Sequence, residues 1–295
     1  MNNIESFINY VADDFIEYVD KAESLCELSG LNYMGYYLPN YQNIHVQQLY
    51  LLRYAYAYSY EYMWMYRQVL EKLRDVPQVS IVSVGCGSML DYWSLVQAMT
   101  QNNCLDKKIN YVGIDTVEWN YRFGIRKNDQ LLSYLHNDAV KCFQNNPKFV
   151  SDIYFFAKSI SEFSMYQIGE IAQCFEKKEI EKDHFFLCVS MRNTNGKREE
   201  DMEKTKVMVK SIERNGFRAN PGWENYYAYN ESERIEVLDK NYYYPEYIKQ
   251  CIISLNDKCK KRSYMNCNCN LSRNPILKTG QVCYQIVEFE RRKTA

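Results

Sequence analysis

The chain has 295 residues, 46% of them hydrophobic and 25% charged, enough to bury a core as one large domain or two modest ones. Its formal net charge of -1 gives no overall basic field, so a nucleic-acid partner would have to be held by a local patch. MNNIESFINYVADDFIEYVD lacks the basic start and apolar core of a signal peptide, and no run of about 18 apolar residues occurs, so a cytoplasmic protein without a membrane span is expected.

The first region, residues 1–76, reads as a helical extension. Phe7, Val11, Phe15, Tyr18 and Ala22 recur at three- and four-residue steps, which predicts an amphipathic helix ending near Gly30, with LNYMGYYLPNYQN as a loop. In LYLLRYAYAYSYEYMWMYRQVLEKL, Tyr54, Tyr56, Tyr58, Tyr60 and Tyr62 fall on every second residue, as in a strand. Helix is the stronger reading. The segment lacks Gly and Pro, is filled with good helix formers, and places Leu52, Ala55, Ser59, Tyr62, Tyr66 and Leu70 on one face.

From Pro77 strands and helices alternate, which predicts a parallel sheet covered on both faces. VSIVSV is a buried strand, followed by a turn from Gly85 to Gly87 and a helix from about Tyr92 to Asn102. INYVGID and SDIYFFA are strands, with QLLSYL a further candidate between them. SEFSMYQIGEIAQCFEK is a helix, HFFLCVSM the next strand, and a charged helix runs from about Glu199 to Arg214, closed by Gly216. ENYYAY and VCYQIVEFE are the last strands, separated by an insert at about 231–280.

A strand that passes through Gly-x-Gly into a helix brings backbone close to a ligand. Dinucleotide sites continue to a third glycine, whose place is taken here by Leu90, so a pyrophosphate seat is disfavoured. Asp115, at the end of the second strand, is placed to accept both hydroxyls of a ribose. The pair suggests an adenosine moiety without a pyrophosphate; the alternative is a plain tight turn at Gly85 and Gly87 with Asp115 as a cap.

With VSVGCG, YVGID, Asn137-Asp138-Ala139 and DIYFFAKSISEF in this order, the chain resembles the class I Rossmann-like methyltransferases that use S-adenosylmethionine, over about residues 77–230 and the last strand. The resemblance implies an α/β fold with a mostly parallel sheet, an antiparallel C-terminal hairpin and a helical N-terminal extension over the cofactor. It implies that Gly85, Cys86, Gly87, Asp115 and Thr116 hold S-adenosylmethionine, that Asp138 and Ala139 meet its adenine, and that Ala157 lies near the methyl group. Asp138 has a competing role as the N-cap of AVKCFQNN. Where Met89 stands many members have a further glycine, so the loop meets the methionine portion differently.

Methyl transfer from a sulfonium is an in-line displacement that alignment and desolvation can largely accelerate, with a base needed only to take a proton from the acceptor. Lys158 and Glu162, just beyond the DIYFFA strand, are the candidates for contact with the acceptor; the alternative is a solvated helix start. Tyr58 and Tyr62 are candidates to touch the cofactor, or else core. Ala157-Lys158-Ser159-Ile160 is not the Asn/Asp-Pro-Pro-aromatic segment of base-methylating members, so DNA is disfavoured and a small molecule, protein or RNA is the expected acceptor. A nicotinamide-dependent oxidoreductase and a catalytically silent S-adenosylmethionine-binding module are the rival readings.

Eleven cysteines at irregular spacing read as reduced thiols. Cys251, Cys259, Cys267, Cys269 and Cys283 gather near the end beside the basic run 258–262, but without a paired C-x-x-C knuckle; unligated thiols are expected there, with a structural zinc as the alternative. The basic run is either a solvated face or a contact for RNA phosphate.

Overall fold

A computed structural model of the protein describes residues 4–26, 28, 40–122, 132–194, 196–228, 246–250, 255 and 282–293. Helix α1 (Ile4–Lys21) buries Phe7, Val11 and Phe15 as the periodicity predicts, but ends well before Gly30, which lies outside the described residues. Helix α2 (Ile44–Lys72) is continuous through the tyrosine run. It starts where the Asn43 side chain accepts from the amides of His45 (2.8 Å) and Val46 (3.4 Å), satisfying two donors of the open first turn.

The sheet follows. Strand β1 (Gln78–Val84) leads through the glycine turn into α3 (Leu90–Gln101), then come β2 (Lys108–Asp115), β3 (Leu132–His136), α4 (Ala139–Asn145), β4 (Lys148–Phe149) and β5 (Ile153–Phe156). A single 3-10 turn, Ile160–Glu162, precedes α5 (Met165–Lys177), then β6 (Glu179–Ile180), β7 (His184–Ser190), α6 (Lys197–Arg214), β8 (Phe217–Ala219), β9 (Tyr227–Ala228) and β10 (Cys283–Arg291). The strand order is β3-β2-β1-β5-β7-β10-β8, with β9 also on β10 and β4 paired separately with β6. Pairs within β3-β2-β1-β5-β7 are parallel; β10 runs antiparallel to β7, β8 and β9.

Two local expectations need correction, and one strand was not foreseen. The segment from Ser161 to Lys177 is not one helix: Ser164 caps α5, accepting from the amide of Gln167 (3.2 Å) while Gln167 accepts from the amide of Ser164 (2.9 Å), and this capping box fixes the start of α5 after the 3-10 turn. Among the described residues, ENYYAY supplies a two-residue bridge, β9. The longer partner of the last strand is β8, three residues directly after Gly216, whose φ of +87° suits glycine alone at the turn.

The central strands divide their side chains between two cores, as alternation requires. Ile153 and Phe155 of β5 and Phe186 and Cys188 of β7 face the layer of α1, α2 and α3; Tyr154 and Phe156, with Phe185, Leu187 and Val189, face α4, α5 and α6. The N-terminal helices therefore share a continuous core with the sheet. On that side Tyr66 stacks on Phe155 with ring centroids 4.5 Å apart, and Tyr62 meets the same ring edge-on at 5.4 Å. This packing explains why the alternation of tyrosines does not produce a strand: Tyr54, Tyr58, Tyr62 and Tyr66, four residues apart, are all buried, while Tyr56 and Tyr60 are only partly covered.

Candidate functional site

The chain moves from β1 outward to β2 and β3, then returns to lay β5 and β7 on the other side of β1. The crevice beyond the carboxyl ends of β1 and β5 is thus the switch point of the sheet, where open α/β sheets bind ligands. Gly85 and Gly87 sit there with φ of +63° and +54°, and Met89 follows at +63° before α3 begins. At Gly85 a Cβ would stand 2.3 Å from the Cβ of Ser159, the residue after Lys158 beyond β5; at Gly87 it would stand 3.3 Å from the Trp119 ring. Gly85 is required by space and by backbone, Gly87 by its backbone, with the Trp119 ring close beside it.

Within the loop, the amides of Gly85 (2.8 Å) and Cys86 (3.2 Å) donate to the Ile114 carbonyl, tying the turn to β2. The Gly87 amide donates to Oδ2 of Asp115 (2.8 Å), and the Val117 amide to its Oδ1 (2.8 Å). Asp115 is therefore aimed at the glycine turn, each oxygen held by one backbone N–H and keeping further acceptor capacity. Burial pushes its carboxyl up, opposed by those two hydrogen bonds and by His136. Cys86 is buried: its Sγ fills the space of the missing side chain of Gly113, where a Cβ would come within 2.7 Å. Cys86 thus faces the sheet, so its part in a ligand site is limited to its backbone. The Thr116 carbonyl lies 3.0 Å from Nε2 of His136.

Asp138 is the N-cap of α4, accepting from the Lys141 amide at 3.1 Å, and Ala139 is buried in the first turn behind it. The capping role accounts for the position of Asp138 without a ligand. Ala157 continues β5 through its amide to the Val84 carbonyl (3.3 Å) and is buried. Tyr58 and Tyr62 are core residues, 8% and 3% exposed.

Lys158 and Glu162 part company. Lys158 has a left-handed backbone, φ +58°, and turns its side chain inward. Its Nζ lies 3.0 Å from Oε2 of the fully buried Glu61 and also donates to the Met191 carbonyl; its ammonium is engaged inside the protein, contrary to a role in meeting the acceptor. Glu61 also accepts from the Cys283 amide (3.0 Å) and from the Ser190 hydroxyl. A carboxylate from α2 thereby fastens the carboxyl ends of β5 and β7 and the start of β10. Glu162 ends the 3-10 turn, with its amide on the Ser159 carbonyl (2.8 Å) and its side chain reaching water. Although water reaches it, burial pushes its carboxyl up to about 7, with the charge of Asp115 adding to the shift. Burial first, and then the charges of Glu162, Tyr54 and Asp115, push the hydroxyl of the half-buried Tyr50 up.

Several residues that build the site were not singled out from the sequence. Tyr50 extends the four-residue ladder of Tyr54, Tyr58 and Tyr62 by one turn, so the same periodicity points to it. Its ring packs edge-on against Trp119 at 5.4 Å. Trp119 is held in place by the buried Gln47, whose amide group donates to the Tyr41 (2.8 Å) and Glu118 (3.2 Å) carbonyls and accepts from the Asn120 amide (2.9 Å). Lys204 of α6, also buried, directs its Nζ at the carbonyls of Ile160 (3.3 Å) and Ser161 (3.4 Å), clamping the turn that carries Glu162. Neither Gln47 nor Lys204 belongs to a recognisable motif.

Seven strands on the main path, with a parallel body and an antiparallel strand inserted near the far edge, complete the picture. The fold is that of the class I methyltransferases. No protein-family model matches the sequence, and no curated protein matches it significantly. Among solved structures, the plantazolicin methyltransferase BpumL in complex with SAH is 12% identical over 95% of this chain and 99% of its own, with a TM-score of 0.46. A SAM-dependent methyltransferase from Archaeoglobus fulgidus is 14% identical over 77% and 94%, at 0.37, and the Burkholderia thailandensis 1,6-didemethyltoxoflavin-N1-methyltransferase is 9% identical over 79% of both chains, at 0.40. The strand order, rather than these likenesses, carries the fold. No helix among the described residues is long and apolar enough to cross a membrane. Cys251, Cys259, Cys267, Cys269 and the basic run 258–262 lie outside the described residues, whereas Cys283 is buried at the start of β10.

Proposed function

We propose that the protein is an S-adenosylmethionine-dependent methyltransferase. The observation that carries this reading is Asp115, fixed by the Gly87 and Val117 amides at the switch point of the sheet with acceptor capacity left for two ribose hydroxyls. The turn at Gly85 and Gly87 carries left-handed backbone at the same end of the sheet, packed against Ser159 and against the Trp119 ring, which meets Tyr50 edge-on. When bound, the cofactor supplies an electrophilic methyl on sulfur. The chain's own part is to orient it through Asp115, to exclude water with the α2 tyrosines, and to present the acceptor from the turn between β5 and α5, where Glu162 can take a proton.

Leu90 is buried at the place where a pyrophosphate site needs a glycine, which weighs against a nicotinamide cofactor. Titration calorimetry of the folded protein with S-adenosylmethionine, S-adenosylhomocysteine and NADH tests the reading. One site for each of the first two, and none for NADH, is the expected result; the reverse would refute it.

A further inference from the structure

Beside the glycine turn a buried donor is left over. Trp119 is 4% exposed, and among the described residues its indole N–H meets no hydrogen-bond acceptor. A donor desolvated in this way is unfavourable until an acceptor reaches it. The ring is not free to turn elsewhere. It packs on Tyr41 and Tyr50, each with centroids 5.4 Å away, and its carbonyl accepts from Nε of Arg122 at 2.9 Å, while Gln47 fixes Glu118 and Asn120 on either side in the chain. The nitrogen edge of the indole faces the ligand end of the sheet: a Cβ at Gly87 would stand 3.3 Å from Cε2 and 3.6 Å from Nε1, and the amide of that same glycine donates to Oδ2 of Asp115 at 2.8 Å. Burial raises the Asp115 carboxyl; the indole is among the groups that hold it down, yet the two make no hydrogen bond. Asp115 itself is only half-buried. An unused donor and a carboxylate with acceptor capacity to spare therefore meet at Gly87.

Resting on the methyltransferase reading, we propose that Trp119 binds the cofactor: its indole N–H donates to the oxygen of a ribose hydroxyl that itself donates to Asp115, so that the site selects a ribonucleoside over its deoxy counterpart. The charge of Asp115 restricts what the indole can receive. A carboxylate or phosphate of a ligand would accept from the indole but would be repelled by Asp115. An ammonium, which can only donate, would satisfy Asp115 and leave the indole unpaired. A hydroxyl suits both groups, because it gives one proton and accepts another through the same oxygen. Asp115 alone takes any donor; the pair demands a group that both gives and receives. Losing that group leaves two buried partners unmet rather than one, which is how a site built around a hydroxyl rejects a ligand without it.

Calorimetry of the full-length protein and of Trp119→Phe, each with S-adenosylhomocysteine and with its 2′-deoxy and 3′-deoxy analogues, tests this. The natural protein should bind at least one analogue roughly 10- to 100-fold more weakly than the parent compound. Trp119→Phe should bind S-adenosylhomocysteine about 2- to 10-fold more weakly, and that loss should vanish with the analogue that lacks the hydroxyl in question. Equal affinity of the natural protein for all three ligands, the same loss on Trp119→Phe with every ligand, or no loss with any would overturn the role of Trp119 while leaving the cofactor site standing. Where Trp119→Phe does not fold, or an analogue binds too weakly to measure, the proton spectrum of the natural protein decides. The Trp119 indole N–H, assigned through its contacts with the Tyr41 and Tyr50 rings, should move downfield on adding S-adenosylhomocysteine, and an unmoved resonance would overturn the proposal. Failure of the natural protein to bind S-adenosylhomocysteine at all would instead bring down the methyltransferase reading itself.

Discussion

Nζ of Lys158 lies 3.0 Å from Oε2 of Glu61, with the carboxylate fully buried and the lysine side chain 9% exposed. Desolvation raises the Glu61 carboxyl, and Lys158, Ser190 and Cys283 hold it down. Removing one partner leaves the other charge buried and uncompensated, so Glu61→Gln should cost about 3–5 kcal/mol of stability. The double variant Glu61→Gln with Lys158→Met should be less destabilised than Glu61→Gln alone. Urea unfolding of the natural protein, of Glu61→Gln and Lys158→Met singly and of the double variant measures the coupling; simple additivity would show that the pair does not hold α2 to the strand ends.

Gly85 combines a left-handed backbone with a contact that leaves no room for a methyl group. The neighbour cannot easily move, because the Ser159 hydroxyl donates to the Val84 carbonyl at 2.6 Å. Gly85→Ala should therefore lose about 1–2 kcal/mol from the backbone alone, and more from the clash. Adding Ser159→Gly should restore the second part only. Thermal melts of the single and double variants separate the two.

How much of this was readable in advance follows from how local each cause is. Helix α2 was legible because tyrosines four residues apart share a face, and β1, β2, β5 and β7 because their apolar runs have the length and flanking turns of buried strands. Gly85, Gly87 and Asp115 were legible because a strand-turn-helix places them by sequence alone. The fate of Lys158 was not. Its partner Glu61 lies 97 residues away, and nothing local says that an ammonium will turn inward rather than outward. The same holds for Lys204 and for Gln47, whose partners lie on other elements. Strand β8 escaped because three residues are too few to show a period.

Asp115→Asn tests the cofactor side. Asparagine keeps one acceptor oxygen but offers N–H groups where the Gly87 or Val117 amide must be received, and it lacks the charge. Hydrogen bonds to charged groups contribute about 1.5–3 kcal/mol, so affinity for S-adenosylhomocysteine should fall roughly 10- to 100-fold. Calorimetry reads this directly, and an unchanged affinity would remove Asp115 from the site.

Asp91 opens α3 behind the glycine turn, fully buried, accepting from the hydroxyls of Tyr111 (2.8 Å) and Tyr66 (3.2 Å). Burial pushes its carboxyl from 3.8 up to about 6. A carboxyl that holds its proton more tightly when folded stabilises the fold below the unfolded value. That contribution is lost as pH rises from about 4 to about 6 and is constant above, a change of about 3 kcal/mol. Asp91→Asn keeps an acceptor for the tyrosines without the titration. Its stability relative to the natural protein should therefore climb by that amount between pH 4 and pH 7 in urea unfolding. A flat difference would mean that Asp91 ionises as readily folded as unfolded.

Glu162 titrates where the reaction would run. Burial first, and then Asp115, bring its carboxyl up to about 7, so the proton-accepting form grows in across neutral pH. At saturating cofactor, the rate of methyl transfer should rise tenfold per pH unit below that point and level off above it. Glu162→Gln should remove that limb together with most of the rate, while Asp115→Ala should move the limb to lower pH by taking away the like charge. That shift separates a carboxylate acting on the acceptor from one that merely shapes the turn, because a structural role would lower the rate at every pH and leave the limb where it was.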